Sequence, residues 1–411
     1  MGPIRADRAA LPGGVPALDG VRGVAALLVV LSHIGYQTGE AANGLHGALL
    51  ARGDFGVALF FVLSGLLLYR PWAIADGTDR TPPPWRRYYQ RRAVRILPAY
   101  WLVLLVVLLI AVRGDASSLD LTTNLTLTQV YGAGHLLPDF TQTWSLCTEA
   151  AFYILLPLVG AGVARIVHPW TRAAALVGVI ALSLGWTGFA AAGQLPRFAG
   201  TWLPGHAGWF ACGVLLAILL EESRRRPHGR VGGWVRDFAE RPGTLLALAA
   251  GGAALAVSPL AGPRTLSPST AAEAIVKESL YGVVALLVIG AALVAAPWTP
   301  LARLLGSRPA RWLGRVGYGV FLWHLLVLDA TMRLLGTPLF AGDAWRVGIL
   351  TVSGALLAGW LSWRLVERPL LERFSRPVSS RRDVSPEGAR RDEQHRHERQ
   401  ERRRATARDR A

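Results

Sequence analysis

Residues 18–35 read LDGVRGVAALLVVLSHIG, an apolar run interrupted by one arginine and one histidine. A helix rises 1.5 Å per residue, so about 20 residues cross a hydrocarbon core of roughly 30 Å. Backbone amides in lipid find no water, so a single run of this kind must satisfy them as a helix. Comparable blocks recur along the chain. They predict helices over 18–36, 54–70, 96–113, 144–164, 173–192, 203–220, 244–260, 275–296, 312–334 and 345–366. The expected fold class is all-α, a polytopic membrane bundle of about ten transmembrane helices.

Composition agrees with a lipid environment. The 411 residues are 52% hydrophobic and 17% charged, against roughly 25% charged in soluble domains. The net charge of +17 would suit a nucleic-acid partner, but its distribution does not. No zinc-finger spacing or basic recognition helix is present, so no nucleic acid is expected. The arginines lie between apolar blocks and in the tail. With a cytoplasmic N-terminus, segments 1–17, 70–95, 165–172, 221–243, 297–315 and 364–411 fall inside and carry 36 arginines, against six outside. The positive-inside rule therefore predicts that both termini are cytoplasmic and that the lipid bilayer is a partner. A single lysine, Lys277, with many Arg, Ala and Gly residues, fits a bacterial plasma membrane protein from a GC-rich genome.

Three parts are expected: a cytoplasmic segment over 1–17, a membrane domain over 18–375 and a basic tail over 376–411. The tail, with RRDEQHRHERQERRR at 390–404, lacks large apolar residues and is expected to be disordered. No repeat of 20–50 residues points to a solenoid. The opening segment lacks an A-x-A cleavage site, so the first helix is expected to stay as an anchor. Cys147 and Cys212 sit in apolar blocks without metal-ligand spacing. They are expected to be packing residues, and no metal is predicted.

Ionisable residues at membrane depth are costly and are the first candidates for function. Arg22 and His33 are eleven residues apart. That is about 20° beyond three full turns, so both face one direction about 16 Å apart. In TWSLCTEAAFYILLP (143–157), Glu149 lies five residues below Trp144 and is expected at the depth of His33, as its partner. GRVGYGVFLWHLLVL (314–328) places His324 near mid-membrane, and Asp54 opens the second helix. A core histidine and a helix cap are the structural alternatives for those two. WRRYYQRRAVRILPAYW (85–101) gathers Arg91, Arg92 and Arg95 at the start of the third helix. There the dipole and the guanidinium groups favour an anion such as phosphate. Ordinary anchoring accounts for Arg86 and Arg87. The pattern suggests an anion layer (Arg22, Arg92, Arg95) and an acid–base layer (His33, Glu149, His324).

Taken in order, the motifs resemble the acyltransferase-3 family of polytopic membrane O-acyltransferases over residues 14–375. They are LDGVRGVAALLVVLSH (18–33), GVALFFVLSGLLLYR (56–70), RRAVRILPAYW (91–101), WSLCTEAAFYILLP (144–157), GRVGYGVFLWH (314–324) and ERP (367–369). The resemblance implies transfer of an acyl group, commonly acetyl, from acyl-CoA to a hydroxyl of a saccharide, glycolipid or natural product. It implies that His33 is the essential histidine and Arg22 the arginine of its R-x10-H motif. Arg92 and Arg95 match the family's arginine motif, and Glu149 its W-S-L-x-x-E glutamate. The expected site then has His33 and Glu149 as catalytic residues and Arg22, Arg92 and Arg95 holding acyl-CoA. Asp54, Trp144, Ser145 and His324 are assigned to the acceptor. His33 would act as general base with Glu149 stabilising its imidazolium, while Ser32 or Ser145 keeps a covalent route open. A transporter or flippase for a lipid-linked or anionic solute is the alternative class.

Overall fold

The computed structural model describes residues 15–375, apart from 77, 79–80, 113–115, 132–134, 167 and 266. The tail and residues 1–14 of the opening segment lie outside them. Among the described residues the regular structure is helical, and nine helical spans are long and apolar enough to cross a membrane. The chain is a multi-pass membrane protein. Two units divide it, residues 1–367 and 368–411. The second is described only as a short helix, Arg368–Ser375, with Arg368 and Glu372 paired at 2.7 Å.

The helices of the first unit that position the site are α1 (Pro16–Gln37), α2 (Gly44–Ala51), α3 (Phe55–Ala75), α4 (Trp85–Val107), α5 (Ser118–Leu125), α6 (Trp144–Ala164), α7 (Pro169–Ala191), α8 (Leu203–Arg225), α9 (Arg230–Glu240), α10 (Pro242–Val257), α11 (Ala271–Val294), α12 (Pro300–Leu305), α13 (Arg308–Leu335) and α14 (Ala344–Ser362). The block expected at 244–260 is the one that falls short, since α10 has 16 residues. Ser258 precedes Pro259, and a residue before proline is driven out of the helical region. It adopts φ −72°, ψ 166° and ends the helix. The buried Arg52 guanidinium then donates to the carbonyls of Ala256, Ala261 and Gly262 at 2.8, 3.0 and 2.7 Å. Those bonds satisfy the backbone where the helix stops.

Small residues let the central helices touch backbone to backbone, as is common where lipid supplies no hydrophobic drive for association. A Cβ on Gly314 of α13 would come within 2.0 Å of the Asp19 carbonyl on α1. Gly317 faces the Arg22 carbonyl one turn on, so α1 and α13 run side by side in the same direction. Gly65 of α3 and Gly213 of α8 meet in the same close way. Apolar packing fills two regions. The larger includes Phe61, Tyr100, Phe140, Leu156 and Phe210. The smaller joins α1, α13 and α14 through Val30, Ile34, Val316, Val320, Val347 and Ala355. Cys147 and Cys212 are free and buried.

Two departures from the sequence expectation shape the site. First, α4 begins at Trp85 rather than at 96. Arg92 and Arg95 therefore lie in its third turn, beyond the free N–H groups of its first turn. The helix-dipole argument for an anion there does not apply. Second, α6 starts inside the bundle. Gln142, two residues before it, is buried and donates to the Leu322 carbonyl of α13 at 2.9 Å. The preceding segment carries buried polar groups whose N–H and O–H donors find partners within the bundle. Gln129 donates to Thr143 at 3.0 Å and to the Tyr100 hydroxyl at 3.3 Å, and Tyr100 donates to the Asn124 carbonyl at 2.7 Å. Glu149 lies about 10 Å further along α6 than Gln142, away from the end that carries His33.

Candidate functional site

Arg22 from α1, Arg92 and Arg95 from α4, and Glu149 from α6 line one cavity, with about 860 Å³ of atom-free space, part of it open to solvent. Ser64 of α3, Ser145 and Tyr153 of α6, and Tyr318 of α13 add hydroxyl groups to its wall. Glu149 is the one carboxylate in this lining. Its Oε1 accepts from the Ser64 and Tyr153 hydroxyls at 2.5 Å each. Tyr153 is one turn from Glu149, so the pair shares a helix face. The Arg92 guanidinium lies 5.9 Å from the Tyr153 ring centre, in the range of a cation–π contact. Its buried Nε has no hydrogen-bond partner. Neither Arg92 nor Arg95 has an ion-pair partner among the described residues, while Arg22 lies 3.5 Å from Asp19. Three guanidinium groups thus face a space that holds one carboxylate already engaged by two hydroxyls. Cations on such a surface are a receptor for an anion with several oxygens.

The histidines form a separate group. The ring centres of His33 and His324 are 4.9 Å apart with planes at 64°. His33 Nδ1 lies 2.9 Å from the Val29 carbonyl, and His324 Nδ1 lies 2.7 Å from the Phe321 carbonyl. A carbonyl can only accept, so in the neutral rings both Nδ1 atoms carry the proton and both Nε2 atoms present a lone pair. His324 is fully buried, and its Nε2 has no partner. Neither histidine lines the arginine cavity. Phe321 does, and its ring centre is 5.8 Å from that of His324 and 6.2 Å from that of Phe60.

A profile described as an acyltransferase domain matches residues 15–364 of this sequence. The chain belongs to the acyltransferase-3 family. Among curated proteins it is 28% identical to a provisionally named peptidoglycan O-acetyltransferase of Bacillus subtilis, over 89% of this chain and 56% of that protein. It is 24% identical to the peptidoglycan O-acetyltransferase OatA of Listeria monocytogenes, over 87% of this chain and 56% of the relative. The chain spans just over half the length of these two relatives. It is 27% identical to the acyltransferase MdmB of Streptomyces mycarofaciens, over 91% of this chain and 97% of that protein. No solved structure matches.

Set against the acyltransferase-3 motifs, the geometry joins some of the expected residues and parts others. Arg22, Arg92 and Arg95 do meet. Glu149 is not beside His33: it shares the arginine cavity, because α6 begins within the bundle rather than at its surface. The neighbour of His33 is His324. Glu149 thus lies with the three arginines, and His33 lies with His324. Arg22 lines the cavity and His33 does not; Phe321, which does, has its ring centre 5.8 Å from that of His324. The four residues assigned to an acceptor fall in four places. Ser145 lines the arginine cavity and donates to the Gln142 carbonyl at 3.1 Å. Trp144 packs against His206, with ring centres 5.3 Å apart. His324 sits against His33. Asp54 precedes α3 without capping it. It instead accepts from Lys277 Nζ at 2.6 Å and from the Tyr281 hydroxyl.

Several polar partners escaped the sequence reading. Tyr153 was readable as the fourth residue after Glu149. Ser64 was not, because its meeting with Glu149 is a contact between two helices. Lys277 and Glu278 interrupt an apolar block and so announced themselves as ionisable residues at membrane depth. Their partners, Asp54 and His206, emerged only on folding; His206 Nδ1 lies 3.0 Å from Glu278.

Proposed function

We propose that this chain is a membrane O-acyltransferase that moves an acyl group, acetyl in the first instance, from acyl-CoA to a hydroxyl of a carbohydrate, glycoconjugate or glycosylated natural product. The observation that carries the reading is the convergence of Arg22, Arg92 and Arg95 on one cavity containing a single carboxylate. That charge pattern suits the phosphates of acyl-CoA. The family membership and the names of the relatives support acyl transfer. The relatives' peptidoglycan acceptors make cell-wall glycan one candidate, and the match to MdmB over nearly its full length favours keeping other hydroxyl acceptors in view. A bacterial plasma membrane is the setting this implies.

In the proposed reaction the phosphates rest on the three arginines and the thioester extends toward His33. The lone pair on His33 Nε2 takes the proton of the acceptor hydroxyl as its oxygen attacks the thioester carbonyl. The C–O bond forms, the C–S bond breaks, and the thiolate leaves and regains a proton from the imidazolium. His324 offers a second lone pair beside that imidazolium and takes the stabilising role expected of Glu149. Glu149 instead orients Tyr153, and with it Arg92. General-base assistance of this kind contributes about 10²–10⁴-fold. The test is release of free thiol from acetyl-CoA by the purified full chain in liposomes, with and without muropeptide and sugar-bearing acceptors. Acceptor-dependent thiol release supports the reading. Solute movement across the liposome with no thiol release would replace it with a transporter.

A further inference from the structure

We infer that Glu367, the glutamate of the ERP motif, is a positioning residue that acts through Arg95: it offsets that charge in the empty donor site and so promotes release of CoA. The inference rests on the acyl-CoA reading above and adds a residue to the same site. Glu367 ends a π-helical turn, Trp363–Glu367, that continues α14 and packs against α4 and α13. Such turns are rare and recur at functional sites. Glu367 is 2% exposed. One of its carboxylate oxygens lies 3.5 Å from the Ser362 hydroxyl, at the edge of hydrogen-bond range, and the other has no partner. The Arg95 charge bears on this carboxylate. Arg95 and Glu367 both bear on the Tyr318 hydroxyl, which stands in the cavity wall and donates to the carbonyl of Ile96, the residue after Arg95, at 2.9 Å. Glu367 itself does not line the cavity. It stands outside, within electrostatic reach of an arginine that does.

Like charges gathered on one cavity repel, and more strongly inside a protein than in water. With no phosphate present, Arg22, Arg92 and Arg95 need an anion nearby. Glu149 is already engaged by two hydroxyls, whereas Glu367 has an oxygen unspent. A phosphate entering the cavity brings the same sign of charge, so it and Glu367 compete for Arg95. Competition favours the empty state over the occupied one. It costs donor affinity and lets CoA leave once the acyl group has gone, a step that limits many enzymes. A neutral glutamine of nearly the same shape should therefore tighten CoA binding. Loss of a merely structural glutamate would loosen the site and weaken it.

The experiment measures the affinity and dissociation rate of CoA and acetyl-CoA on the full chain in liposomes at pH 8. Glu367→Gln should bind CoA about five- to tenfold more tightly than the wild type, with most of the change in slower dissociation. Glu367→Asp keeps the charge and should keep the wild-type affinity. In an Arg95→Gln background, Glu367→Gln should change CoA affinity far less, because the group it acts through is gone. Unchanged or weaker CoA binding by folded Glu367→Gln overturns the inference and leaves the donor reading intact. A wild-type chain that binds neither CoA nor acetyl-CoA overturns the donor reading, and this inference with it. Should Glu367→Gln not fold, the double variant with Arg95→Gln decides. Removing both charges should restore folding, because a buried charge left uncompensated costs more than the absence of both. A double variant that still fails to fold makes Glu367 a structural residue and overturns the inference.

Discussion

The arginine cavity and the histidine pair lie on the same two helices, α1 and α13, yet are built in opposite ways. Around Arg22, Arg92, Arg95 and Glu149, polar groups from five helices converge, and side chains bond to side chains. Glu149 draws on Ser64 from α3 as well as Tyr153 from its own helix. The histidines donate their Nδ1 protons to carbonyls one turn back on their own helices, which leaves each Nε2 with its lone pair. The first region gathers charged side chains; the second holds two imidazoles that bond to their own backbone. A cross-helix network fixes positions only when every member is present. A local bond to a carbonyl fixes a tautomer and depends on little else.

That contrast can be broken most decisively at His33. Replacing His33 with Ala should lower acyl transfer by about 10²–10⁴-fold in reconstituted membranes, with the unfolding temperature unchanged. Transfer at wild-type rate would show that the free lone pair is not the working base. The arginines come next. Arg92→Ala or Arg95→Ala removes a charge-assisted bond to phosphate of about 1.5–3 kcal/mol. Acyl-CoA affinity by equilibrium binding should fall by roughly 10- to 100-fold with acceptor affinity unaffected, and the reverse pattern would interchange the two regions.

His324→Gln sharpens the division. We expect kcat to fall about tenfold, equivalent to one hydrogen bond to the imidazolium, and the acid limb of the pH–kcat profile to move. The acyl-CoA KM should hold. Glu149→Ala and Tyr153→Phe should instead weaken acyl-CoA binding, each by about three- to tenfold, while the pH profile stays in place. Because the two act through one hydrogen bond, the double variant should lose less than the two single losses combined. A shifted pH profile in Glu149→Ala would restore it as the partner of His33.

The smallest effect concerns the segment that sets the depth of α6. Burial, reinforced by Asp329, pushes the Asp139 carboxyl up to about 6 from an ordinary value of 3.8. Between these values the unfolded chain ionises first, so stability falls as pH rises from about 4 to about 6 and stays lower above that. Asp139 also holds φ 54°, a conformation asparagine tolerates. Asp139→Asn should therefore stabilise the protein by about 1 kcal/mol at pH 8, the full shift being reduced by solvent screening. The gain should vanish below pH 4. Thermal exposure of the buried Cys147 and Cys212 thiols to a thiol-reactive dye would report it.

Apolar block lengths were sufficient by themselves to give the all-helical membrane fold and most helix limits, because a bilayer forces each long apolar run to satisfy its own backbone. α6 begins at Trp144 as the block predicted, and α8 at Leu203. Helical periodicity likewise put Arg22 and His33 on one side of α1, and the arginine motif marked Arg92 and Arg95, which line one cavity with Arg22. Depth was a different matter. Nothing in TWSLCTEAAFYILLP says that Gln142 will bond the Leu322 carbonyl, so the level of Glu149, and hence its neighbours, was decided only when α6 packed against α13. The pairing of His33 with His324 and the union of Ser64 with Glu149 belong to the same class. Each is a contact between helices far apart in sequence, and sequence spacing measures distance only along a single helix.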